Sequence, residues 1–394
     1  MFTKRDASAL ILVIGQQLIH RNFPVNGWVE SERGLGAIPD LGGQHLRIPD
    51  LTSAFAGWKQ GVNPPYKRVR QNVDGRLGKL IRGGGERVLK KGKAGDLGLF
   101  ASSWFPDADY DGLETMALFS IWVFFWDDAI DGSGEASVPG LAIDGAGDEA
   151  VARSIAQAER YREQSLAFAR FHLLGGVESS TNPEPAAPNV ICGTFAEVAR
   201  RVRKICRDEE ALRTGFLTSI GTYMEACVTE LTWRLSNNLP PSADEFCQFR
   251  LQTSAVEMML DLCMLSQELL NIRVCSNKIS IIINELFSLK KELRDGAPLN
   301  LVPVTMGALD LNLDLAIQVI LNDPHGNIGD FEQEANVRRE DAASEHGGVV
   351  LGSLEGLIGA YQSLVTCVLN FSIKSPRYEI LKDRQDDGSF AITL

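Results

Sequence analysis

Two short motifs in this chain place oxygen-bearing side chains at spacings that suit metal binding. The first is Asp127-Asp128-x-x-Asp131, which ends a largely apolar segment. Residues four apart lie on the same face of a helix, so the carboxylates of Asp127 and Asp131 would point the same way. Carboxylates at a helix C-terminus oppose the helix dipole, and a hard cation such as Mg²⁺ relieves that repulsion. Taken alone, the motif also fits a solvated acidic cap.

The second motif is Asn284-x-x-x-Ser288-x-x-x-Glu292, which follows the mainly apolar stretch 279–283. On a helix these three side chains form a stripe about 12 Å long. Polar groups at the end of a buried helix need partners. An amide, a hydroxyl and a carboxylate together form an oxygen set that suits another Mg²⁺ ion. The alternative is an ordinary amphipathic turn whose neighbouring lysines face solvent.

Helical segments dominate the chain after residue 96, and they must position both motifs. Helical patterning covers residues 113–127, 148–174, 194–206, 209–235, 243–270, 278–294, 311–321, 331–341 and 349–371. The sequence contains no alternating strand pattern and no repeat. We therefore predict an all-α fold in which residues 47–394 form one domain. The Gly-rich residues 1–46 are predicted to form a poorly ordered tail.

Composition limits the class of protein and its compartment. The chain has 394 residues and a formal net charge of −12, which argues against general nucleic-acid binding because that requires a basic surface. Its seven cysteines are odd in number and form no C-x-x-C pair, so we expect free thiols in the cytoplasm. The apolar run at residues 9–15 is too short to span a bilayer, and we expect no stable membrane insertion.

The two motifs, in this order within a helical chain, resemble those of class I terpene cyclases of the fungal type. Further matches concern the family's diphosphate sensor, its diphosphate-contacting lysine and the Arg-Tyr pair that closes over the diphosphate. The matching residues are Arg250, Lys291, Arg377 and Tyr378. The resemblance extends from about residue 47 to the C-terminus. It implies a single helical bundle around a central apolar cavity.

The resemblance also implies roles for individual residues. Three Mg²⁺ ions, with Mn²⁺ as an alternative, would be held by Asp127, Asp128, Asp131, Asn284, Ser288 and Glu292. The diphosphate group would be bound by Arg250, Lys291, Arg377 and Tyr378. Phe371 lies where the family often has Trp, and its ring would face the cation that forms during the reaction. The implied catalytic residues are Asp127, Arg250, Asn284, Ser288, Glu292 and Phe371.

The implied reaction is ionisation of a linear isoprenoid diphosphate and cyclisation of the resulting cation in a dry cavity. Aromatic rings can stabilise that cation. The candidate wall residues are Trp104, Phe105, Trp122, Phe125, Phe216, Tyr223, Trp233 and Phe371. From the domain size we expect farnesyl diphosphate as the substrate, converted to a sesquiterpene hydrocarbon or alcohol. We also expect a monomer or homodimer. The absence of a second D-D-x-x-D disfavours a chain-elongating synthase, and the absence of D-x-D-D disfavours protonation-initiated cyclisation.

Two departures from the family pattern keep alternatives open. The interval from Arg250 to Asn284 is shorter than usual by about three helical turns, through a natural deletion or a mis-spliced gene model, and the missing part would lie near residues 268–277. Glu285 stands where the family more often has Asp, and we expect this change to be harmless. The alternatives are a diterpene cyclase acting on geranylgeranyl diphosphate, a simple prenyl transferase, or a degenerate, non-catalytic helical homologue.

Overall fold

The chain is described by a computed structural model. It describes residue 39 and residues 41–80, 90, 92–131, 148–176, 183–206, 209–236, 242–263, 270–296, 299–345 and 348–394. Most of the predicted tail, residues 1–38 and residue 40, lies outside the described residues, so its poor order stays a prediction. Helices form nearly all of the regular structure in the described part, which confirms the all-α fold.

The helices are numbered here in chain order. They are α1 (Tyr66–Leu80), α2 (Leu97–Trp104), α3 (Tyr110–Asp131), α4 (Asp148–Leu174), α5 (Val190–Gly193), α6 (Phe195–Cys206), α7 (Glu210–Ser236), α8 (Ala243–Thr253), α9 (Val256–Cys263), α10 (Leu270–Arg294), α11 (Leu301–Leu309), α12 (Leu313–Glu345) and α13 (Gly348–Lys374). Short 3-10 helices occupy Leu51–Phe55 and Leu381–Asp383, and the strands are β1 (His45–Ile48) and β2 (Phe390–Thr393).

Helices α3 and α10 carry the two motifs and lie in the centre of the fold. Trp122 and Trp126 of α3 are fully buried, as are residues 279–283 of α10. Trp126 is held by a hydrogen bond from its indole nitrogen to the hydroxyl of Ser165 in α4, at 3.1 Å. Both helices are therefore fixed by core packing along their apolar stretches, and their polar ends are presented to a common cavity.

The helices differ from the sequence-based prediction in several places, and two of the differences concern where a helix breaks. The predicted helix 243–270 breaks after Thr253, because Ala255 adopts a left-handed conformation with φ of +60° and the next helix begins at Val256. The predicted helices 311–321 and 331–341 instead form the single helix α12. Its buried residues lie on both sides of the expected break, with Ile320 before it and Phe331 after it, so packing overrides the local sequence preference.

Residues 45–48 and residues 390–393 form a small antiparallel sheet that the sequence analysis missed. Strand β1 pairs with β2, with Ile48 opposite Phe390. Each strand has four residues and only two buried positions, which is too short for a clear alternating pattern. Leu41 and Leu46, which precede the boundary predicted at residue 47, are buried in the core.

Helix α13 is the most membrane-like segment of the described residues. Its stretch Leu354–Lys374 is long and apolar enough to cross a bilayer, yet 67% of the tested window is buried against the rest of the protein. A core helix of a folded domain has these properties.

Substitution of Gly98 should destabilise the protein, because α2 and α1 approach closely there. A Cβ atom on Gly98 would lie 2.7 Å from the Cα of Arg70, which is backbone and cannot move aside easily. We expect Gly98→Ala to lower the free energy of unfolding by about 1–3 kcal/mol, measured by urea unfolding.

The matched control for this prediction is Gly75→Ala on α1. Gly75 is exposed and a Cβ atom there meets nothing within 4 Å. This change should raise the free energy of unfolding by about 0.5–1 kcal/mol, because alanine has the higher helix propensity. Equal stability changes in both variants would show that the α1–α2 approach is not tight.

Candidate active site

A cavity of about 540 Å³ lies between α2, α3, α7, α8, α9, α10 and α13. One part of its wall is apolar and another part carries charged and hydrogen-bonding groups. The predicted site residues that line it are Asp127, Arg250, Asn284, Ser288, Lys291, Glu292, Phe371, Arg377 and Tyr378. Residues spread over 250 positions of the chain are thus brought to one cavity.

Asp127 faces the cavity near the end of α3. Its carboxylate accepts a hydrogen bond from the hydroxyl of Tyr223 on α7, at 2.9 Å, and the thiol sulfur of Cys227 lies 3.8 Å away. Burial, together with the Asp127 carboxylate, raises the pKa of Tyr223 well above its usual value. Tyr223 therefore stays protonated, and its hydroxyl donates the hydrogen bond that orients the Asp127 carboxylate.

The second carboxylate of the first motif, that of Asp128, makes different contacts from that of Asp127. Asp128 forms an ion pair with the guanidinium of Arg377, at 3.4 Å, and does not line the cavity. The carbon of that guanidinium also lies 5.6 Å from the ring centre of Phe124. Burial opposes the charge on Arg377, but Asp128 and nearby acidic groups raise its pKa. The side chain of Asp131 lies outside the described residues, so its role as a ligand stays a prediction.

The second motif lies along one face of α10. The amide nitrogen of Asn284 donates to the hydroxyl of Tyr378 at 3.1 Å. Ser288 is buried, and its hydroxyl interacts with the Glu292 carboxylate without forming a hydrogen bond of ordinary geometry in the described part of the chain. Burial, followed by the nearby Glu285 carboxylate, raises the pKa of Glu292 to about 7.

These features show that the residues fit a divalent cation. A buried hydroxyl without a well-formed hydrogen bond is costly, and so is a carboxylate that must ionise away from water. A cation among the oxygens of Asn284, Ser288 and Glu292 would satisfy the hydroxyl and restore the charged carboxylate. All three are hard oxygen donors of the kind that Mg²⁺ prefers.

Arg250 is already paired with carboxylates at the cavity edge. It donates from Nε to Glu285 at 2.8 Å and lies 3.6 Å from a carboxylate oxygen of Glu230. Burial opposes the charge on Arg250, but these two carboxylates more than offset it and raise its pKa. Glu285 is only 1% exposed and is the buried partner of the predicted sensor, and the expectation that Glu in place of Asp is harmless stays a prediction.

Lys291 is the remaining predicted diphosphate contact. Its amine forms an ion pair with Asp295, at 3.3 Å, and both residues line the cavity. Lys291 lies in the last turn of α10, and Asp295 follows four residues later, directly after the helix ends. This spacing brings their side chains together.

The apolar wall contains only some of the predicted aromatic residues. Trp104, Tyr223 and Phe371 line the cavity as predicted, together with Phe100 and Phe124, which the sequence analysis missed. The predicted residues that lie outside this wall are Phe105, Trp122, Phe125, Phe216 and Trp233.

The phase of helix α3 explains the missed and misplaced residues. Successive side chains on a helix are about 100° apart. The face that meets the cavity carries Val123, Phe124 and Asp127. Trp122 therefore points to another helix, where its ring centre lies 5.0 Å from that of Phe195. An apolar helix with no polar face does not show this phase in its sequence.

Helical spacing offers one signal for a site residue that the sequence analysis did not select. Glu230 stands seven residues after Tyr223 and three after Cys227 on α7, and all three line the cavity. Once Tyr223 is placed at the cavity, the helical repeat places Glu230 on the same face.

The shortened interval before Asn284 keeps both of its ends at the cavity. Arg273 of α10 forms ion pairs with two acidic residues of α9, at 2.8 Å to Asp261 and more closely to Glu257. Val256 and Met259 of α9 contribute to the cavity wall. Of the residues near the predicted deletion, 268 and 269 lie outside the described residues.

Comparisons with known proteins agree with this geometry. A family model described as terpene synthase family 2, C-terminal metal binding, matches residues 118–323. Sesquiterpene cyclase hepA of Aspergillus oryzae is 26% identical over 316 residues, which cover 76% of this chain and 80% of that protein.

Two solved structures share the fold. A cucumene synthase variant superposes with a TM-score of 0.60 at 19% identity, covering 82% of this chain and 98% of the other. Linalool/nerolidol synthase from Streptomyces clavuligerus, solved with 2-fluorogeranyl diphosphate, gives a TM-score of 0.60 at 16% identity, covering 79% and 100%. Similarity at this level of identity supports the fold alone.

Without metal, the protein should lose stability as the pH rises through the interval in which Glu292 ionises. Its folded-state pKa of about 7 lies above the value of about 4.3 for an exposed glutamate, so the folded state retains the proton longer. The free energy of unfolding should fall with rising pH across this window, by at most about 1.4 kcal/mol per pH unit. Urea unfolding at pH 5, 6, 7 and 8 with a chelator measures this.

Glu292→Gln is the matched control, because glutamine has the same shape and stays neutral. The stability of the variant relative to the wild type should increase from pH 5 to pH 7 and level off above the pKa of Glu292. If the two proteins instead show parallel stability profiles, Glu292 does not titrate in this range.

Proposed function

The chain belongs to the terpene synthase family, and on that basis we propose that it converts farnesyl diphosphate to a cyclic sesquiterpene hydrocarbon or alcohol. The observation that carries the proposal is one cavity with two chemically different parts. Asp127 and the stripe of Asn284, Ser288 and Glu292 supply oxygen ligands at the polar part, and aromatic and aliphatic side chains form the rest of the wall.

The polar part suits a diphosphate leaving group. Arg250, Lys291 and Arg377 carry positive charge on the cavity wall, and the Tyr378 hydroxyl lies beside Asn284. Donors fixed in advance stabilise charge as it develops on the leaving group. Mg²⁺ bound there would neutralise part of the diphosphate charge and polarise the breaking C–O bond.

The ion pairs of Arg250 and Arg377 fix the two guanidinium groups in place before substrate binds. Arg250 is held by Glu285, and Arg377 is held by Asp128. Each guanidinium has further donors beyond those used in the ion pair. We propose that the remaining donors turn to the diphosphate and that Asp128 contributes to metal binding mainly by orienting Arg377.

The apolar part suits a reactive carbocation. The rings of Phe100 and Phe371 contact each other with centres 5.0 Å apart, and Phe100 also contacts Phe124, at 5.4 Å. These rings exclude water, which would otherwise quench the cation early. A ring face stabilises a cation by about 0.5–2 kcal/mol, and Phe371 is the proposed residue for this role.

The relatives support a C15 substrate, and the cavity is large enough for a small-molecule ligand. A volume of about 540 Å³ is in the usual range for a small-molecule pocket, about 300–1,000 Å³. The relative from Aspergillus oryzae is named a sesquiterpene cyclase. We further propose three Mg²⁺ ions, a cytoplasmic location and a monomer or homodimer. Geranylgeranyl diphosphate is the second candidate substrate.

The test is incubation of purified protein with C10, C15 and C20 isoprenoid diphosphates, with Mg²⁺ or with a chelator, followed by analysis of volatile products and released diphosphate. We expect a cyclic product from the C15 substrate that requires Mg²⁺. Product from the C20 substrate alone would replace this proposal with a diterpene cyclase. Neither product nor diphosphate release from any substrate would mean a non-catalytic homologue.

Loss of a metal ligand should remove turnover. We expect Asp127→Ala and Asn284→Ala each to lower kcat/KM by more than about 100-fold, since both act on the leaving group through the metal site. Asp111→Ala is the matched control, because Asp111 lies on the same helix as Asp127 but is exposed and paired with Lys204. Normal turnover in either ligand variant would contradict the metal assignment.

A further inference from the structure

Asn300 lies immediately before α11 and is completely buried. Its side-chain oxygen accepts a hydrogen bond from the backbone nitrogen of Val302 at 2.9 Å, which caps the helix. Its side-chain nitrogen donates to a carboxylate oxygen of Glu292 at 2.8 Å and to the backbone oxygen of Glu285 at 2.9 Å. Both amide hydrogens and the amide oxygen are used, so the side chain is held in one orientation.

The contact with Glu292 concerns the last ligand of the second metal motif. One carboxylate oxygen of Glu292 is occupied by the Asn300 amide, and the residue lines the cavity. A hydrogen bond from a fixed donor limits rotation of the carboxylate and favours its ionised form. Partners of this kind around metal ligands strengthen metal binding.

The same turn of α11 also reaches the sensor arginine. The backbone nitrogen of Leu301 donates to one carboxylate oxygen of Glu285 at 2.7 Å, and the other oxygen of Glu285 accepts from Arg250. The start of α11 therefore holds a metal ligand and the partner of Arg250 at once. Displacement of this turn would disturb both.

Helix capping alone does not explain an asparagine at this position. Capping needs only a side-chain oxygen, and Asp or Ser caps a helix as well as Asn does. Asn312 shows the simpler case, since it caps α12 through a 3.0 Å hydrogen bond from Leu315 and is exposed. The feature that distinguishes Asn300 is its buried amide nitrogen, which only Asn provides at this length among the residues that cap well.

We propose that Asn300 is a positioning residue for the metal site, whose amide orients the Glu292 carboxylate toward a divalent cation. The inference rests on the proposed metal-dependent function, but it concerns cation affinity and is independent of the length of the isoprenoid substrate. Removal of such a partner typically weakens metal binding by about 10–100-fold.

The experiment uses the full chain with inorganic diphosphate and no isoprenoid substrate. The melting temperature is measured at fixed diphosphate while Mg²⁺ is titrated, which gives the Mg²⁺ concentration for half-maximal stabilisation. Asn300→Asp keeps the shape and the capping oxygen but replaces the amide donor with an oxygen facing Glu292. We expect this Mg²⁺ concentration to rise at least about 10-fold.

Two further variants separate positioning from capping. Asn300→Ser keeps a capping hydroxyl and adds no charge, and it should also raise the Mg²⁺ requirement. Asn312→Asp makes the same chemical change at a cap that touches no metal-site residue, and it should leave the requirement unchanged.

Several results would overturn the proposed role of Asn300 or the assignments on which it rests. An unchanged Mg²⁺ requirement in both Asn300 variants would overturn the proposal. Loss of cooperative unfolding in both variants without metal would also overturn it, since Asn300 would then act through the folding of α11. If the wild type is not stabilised by Mg²⁺ and diphosphate, the inference fails together with the metal assignment. If the wild type is stabilised but does not convert farnesyl diphosphate, only the proposed substrate fails.

Discussion

The buried charge at one side of the apolar cavity is the constraint on which the rest of the site depends. Glu285 is nearly inaccessible to water, so its carboxylate must be paired, and Arg250 supplies the pairing charge. The bond joins α8 to α10, while the backbone nitrogen of Leu301 ties α11 to the same carboxylate. Breaking the Arg250 contact would leave the buried Glu285 charge without its partner, and breaking the Leu301 contact would leave its second oxygen without that donor. The positions of α8, α10 and α11 relative to one another are therefore fixed.

The fixed arrangement of α8, α10 and α11 serves two opposite chemical needs. Diphosphate requires charged and hydrogen-bonding groups, whereas a carbocation requires an apolar wall that keeps water away. Helix α3 meets both needs along one face, because Phe124 lies one turn before Asp127 and both line the cavity. Helix α10 repeats the arrangement, with Ile281 in the apolar wall and Glu292 among the polar groups. The order of polar and apolar residues along two central helices therefore generates the two-part cavity.

The sequence predicts what depends on local spacing and misses what depends on distant contacts. The stripe formed by Asn284, Ser288 and Glu292 follows from helix geometry, and the structure places all three at the cavity. The Asp128–Arg377 ion pair joins residues 249 positions apart, so no local pattern reveals it. For the same reason the role of Glu285 is hidden. The rotation of an apolar helix such as α3 is set by its neighbours, which is why its cavity-facing aromatics could not be selected correctly.

The most direct test of the metal site is a crystal structure of the protein grown with Mn²⁺ and inorganic diphosphate, with anomalous scattering recorded at the manganese edge. We expect anomalous peaks within about 2.0–2.5 Å of oxygen atoms from Asp127 and from the set of Asn284, Ser288 and Glu292, the range of metal–oxygen bonds to divalent cations. Diphosphate should lie between the peaks and contact Arg250 or Arg377. Bound diphosphate with no manganese at either motif would contradict the proposed chemistry.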